Sequence, residues 1–379
     1  MPPLFTRSFV ALLAAQAFFG LSFSSFFLLP KFMSVELGAG PAEIGRVSAV
    51  FFLAAVLLQP LMGSIVDRRG RRAFLTAGAL LMAPACAGFV FVDSLGPLIY
   101  LLRTLQGLAF AMAFVAGSAL AVDEAPPERL ALALGIFGLT MLSNNALAPV
   151  LVEAIADRYG WEPAFLFSSF AAGISALLSL RVRERPVHAT PAAASRLGDL
   201  LRRPEAGRVG LVVALAGAVF GVMFTFSQPF ALELGMEHVR SLFVAYTVAA
   251  IVARLGLGPF ADRLGRRRVA AVALVFYTAA AALAVGLGSS GLVLVGAAFG
   301  IGHGLFYPTY NALAVQDLAP HERGKGMALF NAAFNVGFTV GVFALGILAA
   351  HTGYPWVFGV ASGLAVLAFL GLVTDSRHR

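Results

Sequence analysis

The sequence predicts an all-α membrane protein, with twelve transmembrane helices in two pseudo-symmetric six-helix bundles. Three observations lead there. Of 379 residues, 59% are hydrophobic and only 12% charged, with a mean hydropathy of +0.87, whereas a soluble domain carries about 25% charged residues. The apolar residues fall into long runs, and roughly 20 residues of helix cross a hydrocarbon core. The runs form two sets of six about one polar gap, with similar short segments at matching places in each set.

The first set predicts helices at about 8–32, 42–65, 73–92, 96–122, 131–155 and 162–181. The second predicts them at about 208–233, 240–261, 269–288, 291–317, 327–350 and 354–374. The first run, from Phe9 to about Leu29, exceeds the 7–15 residue apolar core of a secretory signal and lacks a convincing cleavage site, so it counts as a helix. The gap at 181–208 holds seven Arg and three Pro and reads as a linker, with one short surface helix around Ser195–Arg203. The domain organisation is therefore 1–181, a linker at 182–207, and 208–379.

Orientation follows from the positive charges, which favour the cytoplasmic side. With both termini inside, 21 of the 27 Lys and Arg are cytoplasmic, against four outside: Lys31, Arg46, Arg158 and Arg240. This predicts a multi-pass protein of the cell (inner) membrane. The net charge of +8 resides in short loops, without the basic face that nucleic-acid binding needs. The single cysteine, Cys86, excludes an internal disulfide and a paired-cysteine metal site, and reads as small packing filler.

The chain also repeats itself. GSIVDRRGRR at 63–72 returns as GPFADRLGRR at 258–267, and ALAVDEAPPER at 119–129 returns as ALAVQDLAPHER at 312–323. The offsets are 195 and 193 to 194. The pairs occupy the loops after the second and fourth helices of each half. Parallel repeats of this kind place a substrate site between the halves near the midplane.

GSIVDRRGRR resembles the signature loop of the major facilitator superfamily, and 258–267 its degenerate second copy. The resemblance covers the whole chain and implies a secondary transporter. In that family the loop closes the cytoplasmic side. The implied gating residues are Asp67, Arg68, Arg71 and Arg129 in the first half, with Asp262, Arg263, Arg266 and Arg323 in the second. Arg68, Arg71 and Arg72 have acidic candidates in Asp123 and Glu128, and Arg254 reads as a further gate element. The bland alternative is that these arginines only set topology.

YLLRTLQGLAFA at 100–111 resembles the Arg-x-x-Gln-Gly motif of proton-coupled members, antiporters above all. Arg103 and Gln106 share a helix face at i, i+3. Insertion of an arginine in a span costs at least ~2.5–3.5 kcal/mol, so a partner or cavity is expected, unless Arg103 snorkels to the nearby outer end. Pro30 resembles the end of the family's first-helix motif, but the acid that drug antiporters often carry there is missing before Glu36. In the fifth helix, Pro149 is kept while Ala148, Val152 and Glu153 replace the expected glycines. Glu153 is either a titrating carboxylate in the cavity or a bystander at the outer headgroups.

In the tenth helix, His303, Tyr307 and Asn311 recur every four residues on one face, with Pro308 beside them. His303 lies about 18 Å into its span at 1.5 Å per residue, and histidine titrates near neutral pH. A neutral His bonded between helices is the alternative. Asn144, Asn145, Gln16, Gln228, Asn331 and Asn335 are polar groups in apolar helices, open to solute contact or to interhelical bonding.

The expected function is proton-coupled efflux of a small organic solute by a monomer, with the lipid bilayer as solvent and no metal or cofactor. A proton symporter or facilitator for a sugar-like or anionic metabolite is the alternative. A membrane-embedded enzyme or sensor is remote, since no Walker A loop, metal cluster or nucleophile elbow occurs.

Overall fold

The computed structural model describes residues 4–184, 200, 204–256, 264–288, 291–319 and 322–374. The described residues form α1 (Arg7–Ser25), α2 (Leu29–Glu36), α3 (Pro41–Arg69), α4 (Arg71–Ala87), α5 (Pro97–Glu124), α6 (Leu130–Tyr159) and α7 (Trp161–Ser179). They continue with α8 (Pro204–Glu233), α9 (Arg240–Gly256), α10 (Arg266–Val285), α11 (Gly291–Val315), α12 (Arg323–Thr352) and α13 (Tyr354–Val373). Eleven helices are long and apolar enough to cross a membrane, with α1 and α2 counted as one through the 3₁₀ turn Phe26–Leu28. The described part of α9, seventeen residues, supplies the twelfth. The chain is an all-α, multi-pass membrane protein with the twelve spans expected.

Local chemistry sets the helix ends. Thr6 caps α1 by accepting the Phe9 N–H at 3.0 Å, and Pro97 occupies the first turn of α5, where no N–H is required. Between α3 and α4 the chain turns on Gly70 at φ 104°, and its repeat equivalent Gly265 opens α10 at φ 90°. Both values lie where a Cβ is strained, which explains the glycine kept in each copy of the signature loop.

The chain divides into two compact units. The first comprises Met1–Ala39 with Val50–Ala189, and the second Thr190–Arg379 with Gly40–Ala49. In the second unit Gly45 packs on α12, where an added Cβ would lie 2.6 Å from the Val342 carbonyl oxygen.

The repeat extends from loops to helix packing. A Cβ on Gly107 of α5 would meet the Phe51 carbonyl oxygen of α3 at 2.5 Å. In the second unit Gly300 of α11 meets the Tyr246 carbonyl of α9 in the same way. Gly300 lies 193 residues after Gly107, and Tyr246 lies 195 after Phe51. The next contact swaps its partners: Gly78 of α4 faces Ala109 of α5, while Ala273 of α10 faces Gly302 of α11. One member of each pair stays small so that the backbones touch, the usual solution where lipid provides no hydrophobic drive between helices.

Candidate functional site: polar groups inside the spans

The two units carry their polar groups at non-equivalent places. In the first unit α5 presents Arg103, only 6% exposed. Its Nη1 donates to Gln106 Oε1 at 2.7 Å, and its guanidinium carbon stands 4.6 Å from the centre of the Phe51 ring. Gln106 is turned by Cys86, whose Sγ accepts from Nε2 at 3.6 Å and lies 3.5 Å from Ser22 Oγ. Cys86 therefore lies beside the polar group as well as filling space. Counting 193 residues on, the equivalents of Arg103 and Gln106 are Gly296 and Phe299.

The reverse holds in the second unit. There His303 and Tyr307 stand where the first unit has Phe110 and Phe114, stacked at 5.2 Å. His303 Nδ1 is 2.8 Å from Tyr277 Oη, which fixes the ring between α10 and α11. The Tyr307 hydroxyl donates to Asn331 Oδ1. Around His303 stand Phe220 at 4.6 Å, Tyr307 at 5.4 Å and Phe334 at 6.0 Å, centroid to centroid. Below them Asn311 Oδ1 is buried with no partner among the described residues. Asn335 is half-buried one turn after Asn331 on α12.

The remaining candidates bond within their own units. Fully buried Gln16 donates to Met141 Sδ at 3.0 Å across α1 and α6, and Asn145 accepts from Ser24 Oγ at 3.2 Å. Asn144 donates to the Thr140 carbonyl, and Gln228, fully buried, to the Phe224 carbonyl, each in its own helix. Glu153 has a cation beside it that neither sequence reading supplied. It is fully buried, and Lys31 Nζ stands 2.7 Å from its Oε1 and 3.4 Å from Asp157 Oδ1. Lys31, expected as an outer-surface charge, is itself buried. No partner for it is visible in the sequence, where its apolar flanks, Leu29-Pro30 and Phe32-Met33, are the one sign of burial.

At the other end of the first unit, Arg71 donates to Asp123 Oδ2 at 2.5 Å and to the Ala119 carbonyl at 3.5 Å. Arg72 reaches Glu184 at 3.9 Å. In the second copy Arg267, equivalent to Arg72, donates to the Leu372 and Val373 carbonyls at the end of α13. Cations suit a helix C-terminus, where carbonyls are left over. Arg323 reaches the Leu318 carbonyl from an exposed position, while Arg129, Arg254 and Arg266 are half-buried. The side chains of Asp67 and Arg68, residues Asp262 and Arg263, and, apart from Leu200, the expected helix at Ser195–Arg203 lie outside what the structure describes. A cluster that sequence reasoning missed is Glu124, buried and accepting from Ser8 Oγ at 2.9 Å and Thr6 Oγ1 at 3.2 Å.

Comparison with known proteins agrees with this architecture. The chain is 24% identical over 360 residues to an uncharacterised MFS-type transporter of Methanocaldococcus jannaschii, covering 86% of this chain and 89% of that protein. It is 21% identical over 349 residues to the staphylopine export protein of Staphylococcus aureus, covering 88% and 87%. The crystal structure of the nucleoside transporter NupG shares its fold with a TM-score of 0.81 at 14% identity, over 99% of this chain and 100% of that one. The family model for the Major Facilitator Superfamily matches residues 10–244 and 238–379. With its doubled signature loop and doubled helix packing, the chain belongs to the Major Facilitator Superfamily.

Proposed function

We propose that this transporter exports a small organic solute by alternating access, driven by protons moving inward. It acts as a monomer in the cell membrane, with both termini and residues 181–208 in the cytoplasm. One observation carries the coupled reading: His303 is anchored through Nδ1 by Tyr277 while no described residue bonds its Nε2. An ionisable group held inside an apolar span is functional by default, and an imidazole with one nitrogen unclaimed can take up and release a proton. Resemblance to the staphylopine export protein supports the outward direction. In this reading Tyr307, Asn331, Asn335 and Asn311 line the solute's path in the second unit, and Arg103 with Gln106 does so in the first.

A second reading, a proton symporter or facilitator for a sugar-like or anionic metabolite, is favoured by the hydroxyl and amide groups around Tyr307 and by the nucleoside transporter's similar fold. Proteoliposome flux under an imposed pH gradient separates the two. Efflux requires solute to move against the proton flow and accumulate on the acidic side; accumulation on the alkaline side establishes symport, and indifference to the gradient establishes facilitation.

A further inference from the structure

Buried cations in the first unit are treated in two ways. Lys31 is neutralised by Glu153 at 2.7 Å and Asp157 at 3.4 Å. Arg103, 6% exposed, has no carboxylate within ion-pair distance among the described residues. Its contacts are neutral: the Gln106 carbonyl oxygen at 2.7 Å and the Phe51 ring at 4.6 Å. The Nε atom is fully buried with no acceptor among the described residues. A charge removed from water without a counter-ion costs several kcal/mol, and a cation–π contact returns only about 0.5–2 kcal/mol.

Packing does not explain the charge. The α3–α5 contact at Gly107 and Phe51 is rebuilt in the second unit as the α9–α11 contact at Gly300 and Tyr246. There a glycine, Gly296, fills the position equivalent to Arg103. The interface therefore forms without a guanidinium.

The guanidinium does offer a binding geometry. Gln106 holds the guanidinium from Nη1, and Nε, on the edge it shares with Nη2, has no acceptor among the described residues. Two parallel N–H groups on a planar fork match a carboxylate, sulfonate or phosphate side-on. The Phe51 ring that faces the guanidinium belongs to an aromatic cluster: Phe51 stacks on Phe23 at 5.4 Å, and Phe23 meets Phe110 at 4.7 Å. An oxyanion on the fork brings its apolar body against these rings.

We propose that Arg103 is the anchor for the anionic group of the transported solute, and that this solute is an organic oxyanion with an apolar or aromatic body. The proposal rests on the transporter reading above. It adds a charge preference that neither proton coupling nor direction requires.

The test uses the full-length protein purified in detergent and three probes of similar size: benzenesulfonate, benzenesulfonamide and phenyltrimethylammonium. Saturable binding is expected for the anion and not for the cation. Arg103→Gln should weaken anion binding at least tenfold. Arg103→Lys, which keeps the charge without the fork, should lose less. Equal anion binding by Arg103→Gln and the parent overturns the proposal, as does a parent preference for the neutral or cationic probe. Displacement of benzenesulfonate by chloride at matched concentration assigns the site to inorganic anions and overturns the organic-solute claim. If the variants do not yield a monodisperse protein, the parent's order of preference among the probes still decides. Arg103-dependent binding without gradient-driven flux leaves the anion site standing and removes the transport reading. Flux of neutral or cationic solutes without anion binding does the opposite.

Discussion

Lys31 Nζ and Glu153 Oε1 stand 2.7 Å apart with both side chains buried, joining α2 to α6 across 122 residues of sequence. Removing one partner strands the other in a medium that solvates charge poorly, which costs about 3–5 kcal/mol in buried pairs. Lys31→Met should therefore lower thermal stability in detergent sharply, since it leaves Glu153 and Asp157 without their shared cation. The double variant Lys31→Met/Glu153→Gln should recover most of the loss. If Glu153→Gln alone keeps full stability and abolishes proton-driven flux, Glu153 is the proton carrier and the structural reading of the pair is wrong.

Arg71 and Asp123, paired at 2.5 Å, are 16% and 25% exposed at the side chain. Ion pairs reached by solvent couple by about 0.2–1 kcal/mol. A double-mutant cycle on unfolding should return a coupling of that size, while transport falls several-fold in Arg71→Ala. Normal flux in Arg71→Ala would leave this loop with a purely topological role.

His303→Gln should flatten the dependence of flux on the imposed pH gradient while solute binding stays measurable. Tyr277→Phe removes the bond that fixes the ring and should produce a weaker change of the same kind. Flux versus pH in proteoliposomes measures both. Unaltered profiles in the two variants would place proton coupling elsewhere in the chain.

A side chain on Gly300 would run into the Tyr246 carbonyl. Gly300→Val should cost about 1–3 kcal/mol, as overpacking does, and Gly107→Val should do the same against Phe51. Gly135 in α6 has nothing within 4 Å of an added Cβ, so Gly135→Ala should be neutral or stabilise by up to about 1 kcal/mol. Melting temperatures in detergent compare the three.

The spans and the doubling were legible because each follows from a local pattern: apolar runs of membrane length, and short motifs such as that containing Gly70 and Gly265. The sequence showed Asp123 and Glu128 as acidic candidates for Arg68, Arg71 and Arg72, but not which arginine meets which acid; packing pairs Arg71 with Asp123. The pairing of Lys31 with Glu153 was not legible, because nothing in a run such as Leu29–Met33 says which distant helix lies opposite. Periodicity placed His303, Tyr307 and Asn311 on one face. It had no means of supplying Tyr277, whose hydroxyl comes from the preceding helix. The exchange of polar groups between halves was present in the sequence, and became readable once packing had fixed the offsets of 193 and 195.

The glycines of α11 recur at 296, 300 and 304, each seated on a carbonyl of α9, at Leu242, Tyr246 and Ala250 in turn. Seats spaced by four residues permit no gradual slippage; the next register lies about 6 Å along the axis at 1.5 Å per residue. The two helices are thus geared together and travel as one strut. His303 rides on one member of that strut and Arg254 on the other, so the separation between them is expected to stay fixed as the protein works. Whatever else rearranges, a distance measured across this pair should read the same in every state.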